Sequence, residues 1–128
     1  MRATGERREF LRAGINVFIN ENIQHDVQLA RAMDICESGL CYIKPSGAFE
    51  RHGPQVALEF CLPDDVKPLR ARGNVVYDRL DENTHKTAVV FTHLEADDAE
   101  RIRNYVIRRK RAELFDQMRN EHLRDIDG

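Results

Sequence analysis

Between Gly14 and Leu94 the apolar residues recur with period two in short runs, and after Leu94 that period is lost. This switch constrains the fold more than any other feature, because period two belongs to half-buried strands and a longer period to helices. In "GINVFINENI", Ile15, Val17 and Ile19 alternate with Asn16 and Phe18. "NEN" (Asn20 to Asn22) reads as a turn, and "VQLARAMDI" resumes as a second strand. "GLCYIK" is a third, stopped by "PSG" at Pro45 to Gly47. "QVALEFCL" sets Val56, Leu58, Phe60 and Leu62 on one face and closes at Pro63. "LRARGNVVYDRL" and "TAVVFTHL" predict a hairpin joined by the polar loop "DENTHK".

The segment "DDAERIRNYVIRRKRAELFDQMRNEHL" contains no Pro or Gly and is rich in helix formers. Asp97 is the expected N-cap, with Glu100 three positions later. Five or six short strands before one long helix predict a small antiparallel barrel or sandwich with the helix appended. At about 100° per residue, Ile102 and Val106 share one side of that helix, whereas Ile107, Leu114 and Met118 lie further round. One face suits the barrel. The other suits a partner or a second copy of the chain, unless the second half simply bends or frays.

A chain of 128 residues, 41% apolar and 33% charged, fits one soluble domain. Its net charge of -2 cannot hold nucleic acid by bulk attraction, so any anion must meet a local basic cluster. The basic run "RIRNYVIRRKR" could touch RNA or DNA, but Glu113, Asp116 and the tail "RDIDG" argue against it. No apolar run reaches the roughly 18 to 20 residues of a membrane helix, and "MRATGERREF" is no secretory signal. Cys36, Cys41 and Cys61 are odd in number and form no CxxC pair, and the five histidines are scattered. Free thiols in a cytoplasmic protein without bound metal or cofactor are expected.

Two segments carry chemistry. In "REFLR", Arg8 and Arg12 offer planar, permanently charged forks that pair with phosphate or with the O6/N7 edge of guanine, or stack on a base. In "DICESG", Asp34 can accept from the N–H groups of a guanine ring, and the side chain at Cys36 projects to the same side of a strand. Gly39 gives room for a ligand or a tight turn. Either segment alone reads better as a solvated basic tail or a plain hairpin. Neither contains an acid/base pair, and no histidine is placed to serve Cys36 as a nucleophile.

Together they resemble the two-part signature of the PilZ family of bacterial cyclic di-GMP receptors, RxxxR followed by D/NxSxxG. The strands after the signature and the helix "AERIRNYVIRRKR" are similar as well, so the resemblance covers most of the chain. It implies a mainly β protein, a six-stranded antiparallel barrel with a long C-terminal helix. The expected domain spans 1–128: a basic arm over 1–13, the barrel over 14–95, the helix over 97–120 and a tail over 121–128. The resemblance further implies that Arg8, Arg12, Asp34, Cys36 and Gly39 line a cyclic di-GMP site closed by the arm. Arg7, just before the motif, implies an intercalated pair of nucleotides. Cys36 departs from the pattern by standing where the family has serine, and a thiol is the weaker hydrogen-bonding group. Two functions follow. One is a non-enzymatic receptor that passes the signal to an unidentified protein partner, and the other an adaptor of the same fold that binds nucleotide weakly or not at all.

Overall fold

Eight elements account for the residues that a computed structural model describes, 12–23, 26–45 and 53–127. They are β1 (Ala13–Gly14), β2 (Phe18–Ile23), β3 (Asp26–Cys36), β4 (Gly39–Pro45), β5 (Gln55–Phe60), β6 (Leu69–Asp81), β7 (Thr84–Leu94) and helix α1 (Ala96–Asp127). All strand pairings are antiparallel, in the order β1-β3-β2-β5-β6-β7-β4. An additional β3–β4 pairing joins the two ends, so β2 to β7 close a six-stranded barrel. The two-residue β1 is extra. It continues the lane of β2 along β3, and Ile15 to Val17 make the offset between the two registers.

The alternation seen in the sequence becomes the barrel interior. Ile19, Ala30, Leu40, Tyr42, Val56, Leu58, Phe60, Leu69 and Val89 are buried together, and Phe18 between them points out to solvent. Helix α1 completes this core with Ile102 and Val106, both essentially inaccessible. Tyr105 fixes it by donating its hydroxyl to the Gly14 carbonyl at 2.7 Å. Arg101 ties it to the loop before β6, donating to Asp65 at 2.7 Å and to the Lys67 carbonyl. That charge-assisted bond holds the Asp65 carboxyl below the usual carboxylate range.

Four expectations differ in detail. Asn20 to Asn22 do not turn: they lie within β2, paired to both β3 and β5. The segment looks turn-like because Glu21, which faces inward, is charged. Its carboxylate is fully buried and accepts from the Lys44 ammonium and the Tyr42 hydroxyl, so the interior supplies its partners. The β6–β7 loop shrinks to Glu82 and Asn83, with Thr84, His85 and Lys86 in β7. Helix α1 starts one residue before the expected cap: Ala99 N–H donates to the Glu95 carbonyl, and Asp97 and Asp98 occupy the first turn. Carboxylates there oppose the positive end of the helix dipole. The helix also runs on to Asp127, so its 32 residues extend about 48 Å, far past the barrel.

Candidate functional site

The β3–β4 hairpin holds the second signature segment, and a β-bulge decides where its side chains go. Ala30 and Ala32 point into the barrel, and strict alternation would send Asp34 after them. Between Ala32 and Asp34 the register slips by one at Met33. Ile35 therefore becomes the next core residue, and Asp34 and Cys36 turn to the outer face. Gly14 pairs with Asp34, and this carries Arg12, two residues earlier, alongside it. The Arg12 guanidinium donates to the Asp34 carboxylate in an ion pair that leaves both side chains partly open, 54% and 37% exposed.

Two residues form the hairpin turn, Glu37 and Ser38, and the turn is pinned to β7 by Phe91 N–H donating to the Ser38 carbonyl at 2.8 Å. Gly39 begins β4 against Val89 and Val90, and a Cβ there would sit 2.1 Å from the Val89 carbonyl oxygen. Close backbone approach is thus a sufficient reason for glycine at this position. Cys36 is only 2% exposed, with its thiol 3.0 Å from the Ser38 hydroxyl. A thiol and a hydroxyl thus lie side by side at the hairpin turn.

On the same face Cys41 lies opposite Asp34, and its thiol is 3.8 Å from the hydroxyl of Tyr77. Hydrogen bonding to Cys41, then desolvation, raises the Tyr77 phenol above its ordinary pKa, so it stays neutral. Of the residues singled out in the sequence, the structure brings Arg12, Asp34, Cys36 and Gly39 together at one end of β3 and β4. Arg7 and Arg8 lie outside the described residues. Tyr77 was not legible from the sequence, since alternation in "LRARGNVVYDRL" sends it to the core with Val75. A second bulge, between Val75 and Tyr77, turns it out instead. Among the described residues, no cluster of three metal-ligating side chains forms, and no helix is long and apolar enough to cross a membrane.

A family profile described as the PilZ domain matches residues 6–108, which takes in both signature segments, the barrel and the first part of α1. The chain belongs to the PilZ domain family. Solved structures agree on the fold. The chain is similar to the Bacillus subtilis inhibitor of motility MotI/DgrA, with a TM-score of 0.71 and 18% identity, covering 81% of this chain and 51% of that one. It is similar to the PilZ domain of YcgR from Escherichia coli, determined with c-di-GMP, with a TM-score of 0.64 and 12% identity over 84% and 94% of the two chains. The PlzA protein of Borreliella burgdorferi, in complex with c-di-GMP, gives a TM-score of 0.64 and 10% identity over 94% of this chain and 56% of that one. This PilZ chain thus spans about half the length of MotI/DgrA and of PlzA. No curated protein sequence matches it.

Proposed function

We propose that this PilZ protein is a non-enzymatic cytoplasmic receptor that binds cyclic di-GMP and relays its level to a protein partner by ordering the N-terminal arginine arm. The observation that carries this reading is the Arg12–Asp34 pair on the outer face of the barrel. Its two members are the complementary halves of a guanine site: a carboxylate that accepts from ring N–H groups and a guanidinium that donates to O6, N7 or phosphate. YcgR and PlzA, two proteins of the same fold, are described with c-di-GMP bound.

Energetics favour exchange. An ion pair between exposed groups contributes about 0 to 1 kcal/mol, whereas a hydrogen bond to a charged group is worth about 1.5 to 3 kcal/mol. A ligand that offers donors to Asp34 and acceptors to Arg12 replaces one weak contact with several stronger ones. Arg7 and Arg8 then close over it, and the closed arm presents a new surface to the partner. Three guanidinium groups at Arg7, Arg8 and Arg12 can offset most of the four phosphate charges of an intercalated pair of nucleotides, so two ligands per chain are proposed.

The adaptor reading rests on Cys36, whose thiol is almost inaccessible. The Ser38 hydroxyl, 3.0 Å from that thiol, is the polar group that supports the receptor reading instead. Calorimetric titration with cyclic di-GMP at physiological salt separates the two: saturable binding supports the receptor, and no binding supports the adaptor.

A further inference from the structure

Helix α1 packs on the barrel only through its first half. Ile102 and Val106 are buried, but one and two turns on, the same side of the helix carries Lys110 and Glu113. Every residue from Arg111 to Glu121 is exposed, and the helix continues to Asp127, about 25 Å beyond Arg111. This outer half is not uniformly polar. Leu114, Phe115 and Met118 are 56%, 69% and 60% exposed and, at spacings of three and four, share one stripe well round the helix from Val106. Arg119 lies 5.8 Å from the centre of the Phe115 ring and still leaves the ring largely open. Charge along α1 divides at the same stripe. Arg103, Arg108, Arg109, Lys110 and Arg111 precede it, with no acid over 101–112. From Glu113 onward, Glu113, Asp116, Glu121, Asp125 and Asp127 outweigh Arg119 and Arg124. Pairs within the helix, Arg109–Glu113, Lys110–Glu113 and Arg119–Asp116, use part of this charge. Among the described residues Arg108, Arg111 and Glu121 have no ion-pair partner.

We propose that this stripe pairs with the same stripe of a second copy of the chain, with the two helices antiparallel. Antiparallel pairing lays the basic half of each helix along the acidic half of the other and opposes the two helix dipoles. A parallel pair would set basic half on basic half and acidic on acidic. Leu114 and Phe115 fall at the centre of the antiparallel seam, and the two barrels lie at its opposite ends. One short stripe buries less area than a permanent dimer needs, so the association is reversible and lies in the micromolar range. Such pairing is independent of whether the barrel binds nucleotide.

Sedimentation equilibrium of the full chain across micromolar concentrations tests this. The wild type is expected to show a reversible monomer–dimer equilibrium. Phe115→Asp and Met118→Asp place a charge in the stripe and are each expected to weaken the dimer about tenfold or more. Asn120→Asp adds the same charge on the polar side of the helix and is expected to stay within about threefold of wild type. All three side chains are exposed, so the barrel stays folded in every variant. Salt reports the orientation: screening weakens a pair held by opposite charges and tightens one that sets like charges together. The antiparallel dimer is therefore expected to dissociate further at high salt. A wild type that stays monomeric throughout, or a Phe115→Asp chain that dimerises as tightly, would overturn the proposal and leave the stripe to a different protein. A dimer that tightens with salt would overturn the antiparallel arrangement.

Discussion

The carbonyl oxygen of Val89 in β7 stands 2.1 Å from where a side chain at Gly39 would begin. The hairpin that carries Asp34 and Cys36 is therefore seated against β7 by close backbone contact. The neighbours that a methyl group would meet are all backbone atoms, which cannot rotate away.

Gly39→Ala is accordingly expected to destabilise the fold by about 3 kcal/mol or more, at the upper end of what overpacking costs. Gly14→Ala is the control, since a Cβ there has nothing within 4 Å. Thermal unfolding of both variants checks this. Equal melting temperatures would show that β4 and β7 can move apart. Any loss of ligand affinity in Gly39→Ala should be read with the melting curve beside it.

A second prediction concerns the barrel interior. Lys44 and Glu21 are 3% and 0% exposed, and Lys44→Met removes the Lys44 ammonium from the buried Glu21 carboxylate. The expected cost is about 3 to 5 kcal/mol, whereas replacing both partners by apolar residues of similar volume is expected to recover much of it. Denaturant unfolding of Lys44→Met, Glu21→Met and the double variant measures the coupling. Additive losses would mean that the pair contributes nothing as a pair.

Cys36→Ser tests what the departure from the family pattern costs. The new hydroxyl has a partner ready in Ser38, so the usual loss from placing a hydroxyl in a buried position is expected to stay below about 1 kcal/mol. Affinity for cyclic di-GMP is expected to rise by a few-fold to roughly tenfold, the worth of one neutral hydrogen bond. A variant that melts lower and binds no better would favour the adaptor.

Much of this was legible in the sequence, for identifiable reasons. Period-two alternation located the strands because inward residues such as Val56, Leu58 and Phe60 are apolar wherever the interior is dry. It failed at Glu21, where the interior is charged, and at Met33 and Val76, where one extra residue reverses the faces. Bulges leave no compositional mark, so the outward turn of Asp34 could be expected only from the signature, and that of Tyr77 not at all. Pairing across the barrel was equally hidden. That Arg12 meets Asp34, 22 residues away, follows from the short strand β1, which a two-residue run cannot announce.

On the receptor reading, the Arg12–Asp34 surface binds cyclic di-GMP. Its most direct test is calorimetric titration of the wild type and of Arg12→Ala with cyclic di-GMP at physiological salt. The wild type is expected to bind with two nucleotides per chain, and a ratio near one would remove the intercalated pair alone. Arg12→Ala is expected to bind about ten- to a hundredfold more weakly at an unchanged melting temperature, the loss of one charge-assisted contact from an exposed residue. A wild type that gives no saturable heat, or an Arg12→Ala variant that binds as tightly as wild type, would contradict the account.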